Sequence, residues 1–274
     1  MDNNRRKFLK IAGLTAIAGI AAPTAFNALL KGEVHASTGE EGAAAAKHGG
    51  AAATAATGKR YGFVIDTKKF AEDRTLSQRC IDVCHSIHNV PDFGSTNKKD
   101  EIKWLWVENY EHAFPDESKQ RVSEEVEKLP IMTLCNHCNN PPCVRACPTQ
   151  ATFKNAEGAT MMDFHRCIGC RFCMAACPYG ARSFNWRDPR PFIKKENPEF
   201  PTRMRGVVEK CLMCYERLAE GKLPACVEVA QPAGAMFFGD LNDPSSEISQ
   251  VLKEKFTIQR KPSLGTQPSI FYII

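Results

Sequence analysis

The chain has 274 residues, a formal net charge of +5, and 24% charged and 43% hydrophobic residues. That length allows one large or two small domains with a real core, and the composition is ordinary for a soluble globular protein. Five Lys or Arg against Asp2 and Glu33 put +3 of the charge into residues 1–36. The remainder carries no basic stripe of the kind that binds nucleic acid.

Arg5 and Arg6, with Phe8 and Lys10 behind them, resemble a twin-arginine export signal, and a mildly apolar run from Ile11 to Leu30 follows. Val34 and Ala36 supply small residues for a signal peptidase, so cleavage after Ala36 is expected. A retained membrane anchor is the alternative, but Pro23 and Asn27 make a weak spanning helix. Residues 37–59 are an Ala- and Gly-rich low-complexity linker.

Tyr61 to Asp66 predicts a strand. Cys80 and Cys84 then stand with three residues between them, which matches the end of a ferredoxin cysteine run. An insertion from Asp92 to Met132 carries Trp104, Trp106, Tyr110 and Phe114. It predicts a strand at 104–107 and a short helix at 123–128. Its aromatics serve either a partner interface or a local core.

The centre of the chain is Cys135 to Cys177. Cys167, Cys170, Cys173 and Cys177 have the spacing C-x2-C-x2-C-x3-C-P, the ligand run of a bacterial two-cluster ferredoxin. Cys135, Cys138, Cys143 and Cys147 repeat it with two extra residues, Pro141 and Pro142. In such runs three closely spaced thiolates hold one [4Fe–4S] cube and the fourth serves the neighbouring cube. The expected sets are Cys135, Cys138, Cys143 with Cys177, and Cys167, Cys170, Cys173 with Cys147. Between and after these runs, Gly158 marks a hairpin between 151–154 and 159–163, and 181–186 predicts a strand.

A last run holds Cys211, Cys214 and Cys226, but its fourth position is Ala230. The first run is damaged as well: its first and second positions are Arg74 and Ser77. Under crosswise exchange the two losses fall on one cube, built from 74, 77, Cys80 and 230. The other cube keeps Cys211, Cys214, Cys226 and Cys84. Three clusters thus use twelve cysteines, and Cys80, the thirteenth, is expected to be a buried thiol. Tyr215 to Glu220 predicts a helix ended by Gly221, and Ala235 to Gly239 a strand. A helix is predicted from Asp243-Pro244 to about Lys255, then an extended tail.

Zinc also uses CxxC pairs, but in separated pairs giving four ligands to one ion. A disulfide scaffold suits much shorter chains. His85, His88 or His137 could replace a cysteine as in Rieske centres, yet twelve thiolates already match. Arg145, Arg166 and Arg171 are read as charges tuning the clusters. An enzyme using an open iron needs a three-cysteine cluster, and this pairing leaves none. No nucleophilic constellation is visible and no small-molecule substrate is expected.

These runs, the insertion and the export signal resemble the iron–sulfur electron-transfer subunits of the dimethyl-sulfoxide-reductase family of complexes. The resemblance covers about residues 60–274. It implies an α+β fold of two pseudo-twofold-related bacterial-ferredoxin-like modules over 60–240, interrupted by the insertion at 92–132 and extended by 241–274. It implies a relay through three [4Fe–4S] clusters, with a polytopic quinone-interacting membrane subunit and a haem-containing redox subunit as partners. Its export route carries folded proteins, so the thiolates can be bound to metal in the cytoplasm before they reach an oxidising destination. The expected location is the periplasmic or extracytoplasmic face of the cytoplasmic membrane.

Overall fold

The computed structural model describes residues 58–94, 98–116 and 122–274. The expected export segment 1–36, and all but the end of the linker 37–59, lie outside them. No helix among the described residues is long and apolar enough to cross a membrane.

Helices and strands are mixed. Strand β1 (Tyr61–Asp66) falls where the β-branched and aromatic run predicts it. Phe63, Val64 and Ile65 are all fully buried, so both faces of β1 are covered. Asp66 ends the strand and caps α1 (Thr67–Glu72), accepting the N–H groups of Lys68 and Lys69. Asp73 caps α2 (Arg74–Ile87) in the same way, and α2 buries Leu76, Ser77, Cys80 and Cys84 along one face.

In the insertion, β2 (Leu105–Glu108) is followed by the single turns α3 (Tyr110–Ala113) and α4 (Glu124–Glu127). Strand β3 (Ile131–Leu134) runs antiparallel to β2, with Leu105 opposite Leu134. Trp104, Trp106, Tyr110 and Phe114 are buried, so these aromatics form a local core and not a docking face. Trp104 stacks on His88 and donates its indole N–H to Glu209 at 3.0 Å.

Helix α5 (Pro142–Arg145) precedes the hairpin β4 (Thr152–Lys154) and β5 (Thr160–Met162), with Gly158 at φ 76° in its turn. Helix α6 (Phe172–Ala176) leads to β6 (Ser183–Phe184), which pairs with β7 (Val208–Glu209). The strand expected over 181–186 is thus only two residues long. The chain turns at its end, where Trp186 N–H bonds the Phe184 carbonyl.

Helix α7 (Tyr215–Ala219) stops before Gly221 at φ 74°, and α8 (Ala225–Ala230) packs along α2. After β8 (Met236–Asp240), helix α9 spans Glu247–Glu254. It starts later than the Asp243-Pro244 pair suggests. The Asp243 carboxylate is taken by the N–H and hydroxyl of Ser245, which closes a turn, and Ser246 becomes the cap.

Strands β9 (Thr257–Ile258) and β10 (Ile270–Ile273) complete a sheet ordered β8-β1-β10-β9. Strand β10 runs parallel to β1, with Phe63 opposite Ile270, while β8 is antiparallel to it. The tail therefore supplies an inner strand of the main sheet.

Candidate metal centres

Three cysteine loops repeat one backbone device. The second residue after the leading cysteine is left-handed in each: His137 at φ 40°, Gly169 at 71° and Met213 at 64°. Only at Gly169 is glycine required by space, since a Cβ there would meet the Gly206 carbonyl at 2.3 Å. His137 and Met213 hold that conformation at a cost of about 1–2 kcal/mol each. The turn brings N–H groups round to sulfur, as in Met213 N–H to Cys211 Sγ at 3.3 Å. The third cysteine of each run sits on a short helix: Cys143 on α5, Cys173 on α6 and Cys226 on α8. Cys147 and Cys177 follow the ends of α5 and α6.

All thirteen cysteines are free thiols, and they gather into groups. Cys138 lies within electrostatic reach of Cys135, Cys143 and Cys177. These four line one cavity together with Pro141, Pro142, Tyr179 and Arg182. Cys173 lies beside Cys147 and Cys167, and Cys170 stands in the same loop. Cys84 lies among Cys211, Cys214 and Cys226. The groups adjoin in a row. Cys135 faces Cys211 of the third group, and Cys143 faces Cys173 of the second.

The remaining positions 74, 77, Cys80 and 230 look different. Arg74 and Ser77 lie within the continuous helix α2, where the other runs have a loop. Cys80 and Ala230 are fully buried, and the Cys80 thiol donates to the Cys226 carbonyl at 3.5 Å. Helix-on-helix packing occupies this corner, and burial pushes the Cys80 thiol up to about 12.

Burial likewise pushes Cys138 and Cys211 up to about 12, and Cys84 and Cys226 well above the usual thiol value, with neighbouring thiols adding to the shift. Such a group of buried sulfurs ionises only when positive charge arrives to compensate it. Cys135 is the exception among the buried thiols. Burial opposes its ionisation, but Lys210, His137 and Arg182 outweigh burial and hold the thiol well below its ordinary value.

The donor set fits an iron–sulfur group better than a single ion. A tetrahedral zinc with Zn–S bonds of about 2.3 Å draws its sulfurs to roughly 3.8 Å from one another. Among the described residues no three thiols lie within 4.8 Å of one another; the one such cluster of ligand atoms is His88, Cys214 and Glu216. His88 is already engaged, through Nδ1 with the Cys84 carbonyl and through Nε2 with Glu216, both at 2.8 Å. Around the Cys135 cavity, Asn136 Nδ2, Thr160 Oγ1 and Arg182 Nη2 are buried with no protein partner. An unmet buried donor costs about 1–3 kcal/mol, and acceptor sulfides held by these four thiols would meet it.

Sequence reasoning missed two residues. Lys210 is fully buried and donates to the carbonyls of Thr160 and Cys211. Arg182, also buried, donates to Thr152 Oγ1 at 3.1 Å and lies beside Cys143. Of the arginines favoured instead, Arg145 bonds Asn140 at the surface, Arg166 pairs with Asp163 at 3.3 Å, and Arg171 stacks on Trp186. The second group is the least covered. Cys147, Cys167 and Cys170 are half-buried, and Ile168 and Phe172 beside them are 67% and 60% exposed.

A family model described as a 4Fe-4S dicluster domain matches residues 126–191, and a second model of the same description matches 166–229. The chain is 38% identical over 232 residues to the Hdr-like menaquinol oxidoreductase iron-sulfur subunit 1 of Archaeoglobus fulgidus, covering 78% of this chain and 83% of that one. It is 35% identical over 238 residues to the menaquinone reductase iron-sulfur cluster-binding subunit of Nitratidesulfovibrio vulgaris, covering 78% and 88%. It is 39% identical over 246 residues to the arsenate respiratory reductase iron-sulfur subunit ArrB of Shewanella sp., covering 78% and 96%.

Proposed function

Since the chain belongs to the family of iron–sulfur electron-transfer subunits of membrane-associated oxidoreductase complexes, we propose that it relays electrons through three [4Fe–4S] clusters held crosswise. The ligands are Cys135, Cys138, Cys143 and Cys177; Cys167, Cys170, Cys173 and Cys147; and Cys211, Cys214, Cys226 and Cys84. The observation that carries this reading is the row of three thiol groups, with the Cys135 group in the middle. Bound there, the clusters supply one-electron carriers. The chain's own residues position them, exclude water and set potential, and none of them does substrate chemistry. Two ferredoxin-like modules related by a pseudo-twofold account for the repeated loops.

The proposed partners are a polytopic quinone-interacting membrane subunit and a haem-containing redox subunit, on the periplasmic face after folded export. Within the family the chain is proposed to correspond to DsrO, the three-cluster subunit of the DsrMKJOP complex of sulfur metabolism. What supports this is the correlated loss at 74, 77 and 230, together with helix α2 and buried Cys80 where the fourth cluster would sit. A second reading, the iron–sulfur subunit of another periplasmic respiratory reductase, draws on relatives such as the arsenate reductase subunit. The exposed Ile168 and Phe172 beside the least covered thiols suit a protein contact at that end.

Purification from native membranes tests the proposal. The subunit is expected to co-purify with a polytopic membrane protein, and its visible absorbance to bleach on addition of a menaquinol. Isolation as a lone protein whose colour ignores quinol would contradict it.

A further inference from the structure

Two buried cations lie between the thiol groups, and neither is neutralised by a carboxylate. Lys210 follows β7 and lies within electrostatic reach of Cys135 and Cys143 on one side and Cys211 on the other. Its ammonium meets only two backbone carbonyls, those of Thr160 and Cys211. Arg182 lies within reach of Cys143 and Cys135 on one side and Cys173 on the other. It donates to Thr152 Oγ1 and the Met162 sulfur, and its buried Nη2 has no protein acceptor.

Arg203 is a buried cation that does have a carboxylate partner. It is fully enclosed, but Glu209 faces it at 2.7 Å, and Trp104 and Asn185 hold that carboxylate in place. No such partner is present for Lys210 or Arg182 among the described residues. The third group has mixed surroundings: the Glu216 carboxylate acts on Cys84, Cys211 and Cys214, against Lys210 beside Cys211 and Arg217 beside Cys214, the latter paired with Glu228 at 2.6 Å. The second group meets one of the two cations and is partly open to water, which screens charge.

We propose that Lys210 and Arg182 are junction charges that make the middle centre, on Cys135, Cys138, Cys143 and Cys177, the highest in potential of the three. Adding an electron adds one negative charge, and a fixed cation in a low-dielectric interior stabilises that state over the oxidised one. The middle position meets both cations, whereas each outer position meets one. One electron gained there is balanced by one lost from a neighbouring centre or from the quinol-side donor, and no bond is made or broken. The middle of the row is then where electrons collect before they pass to either end.

This inference rests on the three-cluster reading, and an EPR-monitored redox titration of the purified holoprotein separates the two. Wild type is compared with Lys210→Met and Arg182→Met, and with Lys210→Arg and Arg182→Lys, which keep the charge. Each methionine variant is expected to lower two of three midpoints. A single midpoint, the highest in wild type, falls in both variants, with the reduction equilibrium shifted tenfold or more (about 59 mV for one electron). The charge-keeping variants stay near wild type. Should a methionine variant lose iron, Cys177→Ser decides: the first signal to appear on reduction must be the one whose g-values it changes. Three midpoints that move together, do not move, or share a midpoint other than the highest overturn the junction charges alone. Fewer than three midpoints in wild type overturn the three-cluster reading, and this inference with it.

Discussion

Cys80 and Cys84 lie one helical turn apart on α2, yet their thiols have different company. Cys84 faces Cys211, Cys214 and Cys226, whereas Cys80 bonds a backbone carbonyl between two packed helices. Changing Cys84 to Ser should therefore cost about four iron atoms per chain, the content of one cube. Changing Cys80 to Ala should leave iron unchanged and lower stability by about 1 kcal/mol, the scale of a small buried deletion. Iron analysis and thermal unfolding of the two variants check this. Tyr272 gives a prediction in alkali. It is fully buried, its hydroxyl has no partner among the described residues, and burial pushes it up to about 12. The unfolded chain ionises first as pH rises past 10, so this contribution is present below pH 10 and is lost between 10 and 12. It amounts to at most about 2–3 kcal/mol. Tyr272→Phe should match wild type at pH 8 and lose stability more gently from pH 10 upward, as read by denaturant unfolding; parallel curves would contradict it.

At the scale of elements, the C-terminal tail does more than close the sheet. The N–H groups of Asn139 and Asn140 donate to the carbonyls of Gln267 and Thr266, and Ser269 N–H donates to the Asn136 carbonyl. The Ser269 hydroxyl adds a bond to the His137 carbonyl at 3.1 Å. The segment 265–269 thus braces the first cysteine loop while β10 fills the gap beside β1. A chain ending at Phe256 should lose the iron bound at Cys135, Cys138, Cys143 and Cys177, and show a much lower unfolding temperature. Retention of full iron content would show that the loop stands without its brace. An extended tail over Lys261 to Ile274 that packs on the body or on a partner is legible in sequence, but the strand and loop it meets are not. Pairing between β1 and β10 joins residues about two hundred positions apart, with no local signature. The elements that were legible carry local signals: the β-branched run of β1, the Gly158 hairpin, and the glycine after α7. Helix α9 shows the limit, since Asp243-Pro244 reads as a helix start until Ser245 takes the Asp243 carboxylate.

Across the whole molecule, the cysteine spacings are what suggest the proposed grouping of thiols, because each run is a short local motif repeated along the chain. The charges around those thiols were not legible. Arg145, Arg166 and Arg171 stand no nearer the cysteines in sequence than Lys210 does beside Cys211, but they face solvent or surface partners. Arg182 and Lys210 are buried among the thiols because β6 and β7 pair there. The aromatic insertion was ambiguous for a similar reason, since only the fold decides that Trp104 meets Glu209 and His88 instead of a partner. Of positions 74, 77, 80 and 230, only 80 carries a thiol. Helix α2 runs unbroken through Arg74, Ser77 and Cys80 and packs on α8, where the other runs have a loop.

The central claim is a count. Metal and acid-labile sulfide analysis of the purified holoprotein should give about twelve iron and twelve sulfide per chain, three cubes of four, with no stoichiometric zinc. Sixteen iron, eight iron, or a colourless zinc protein would contradict it.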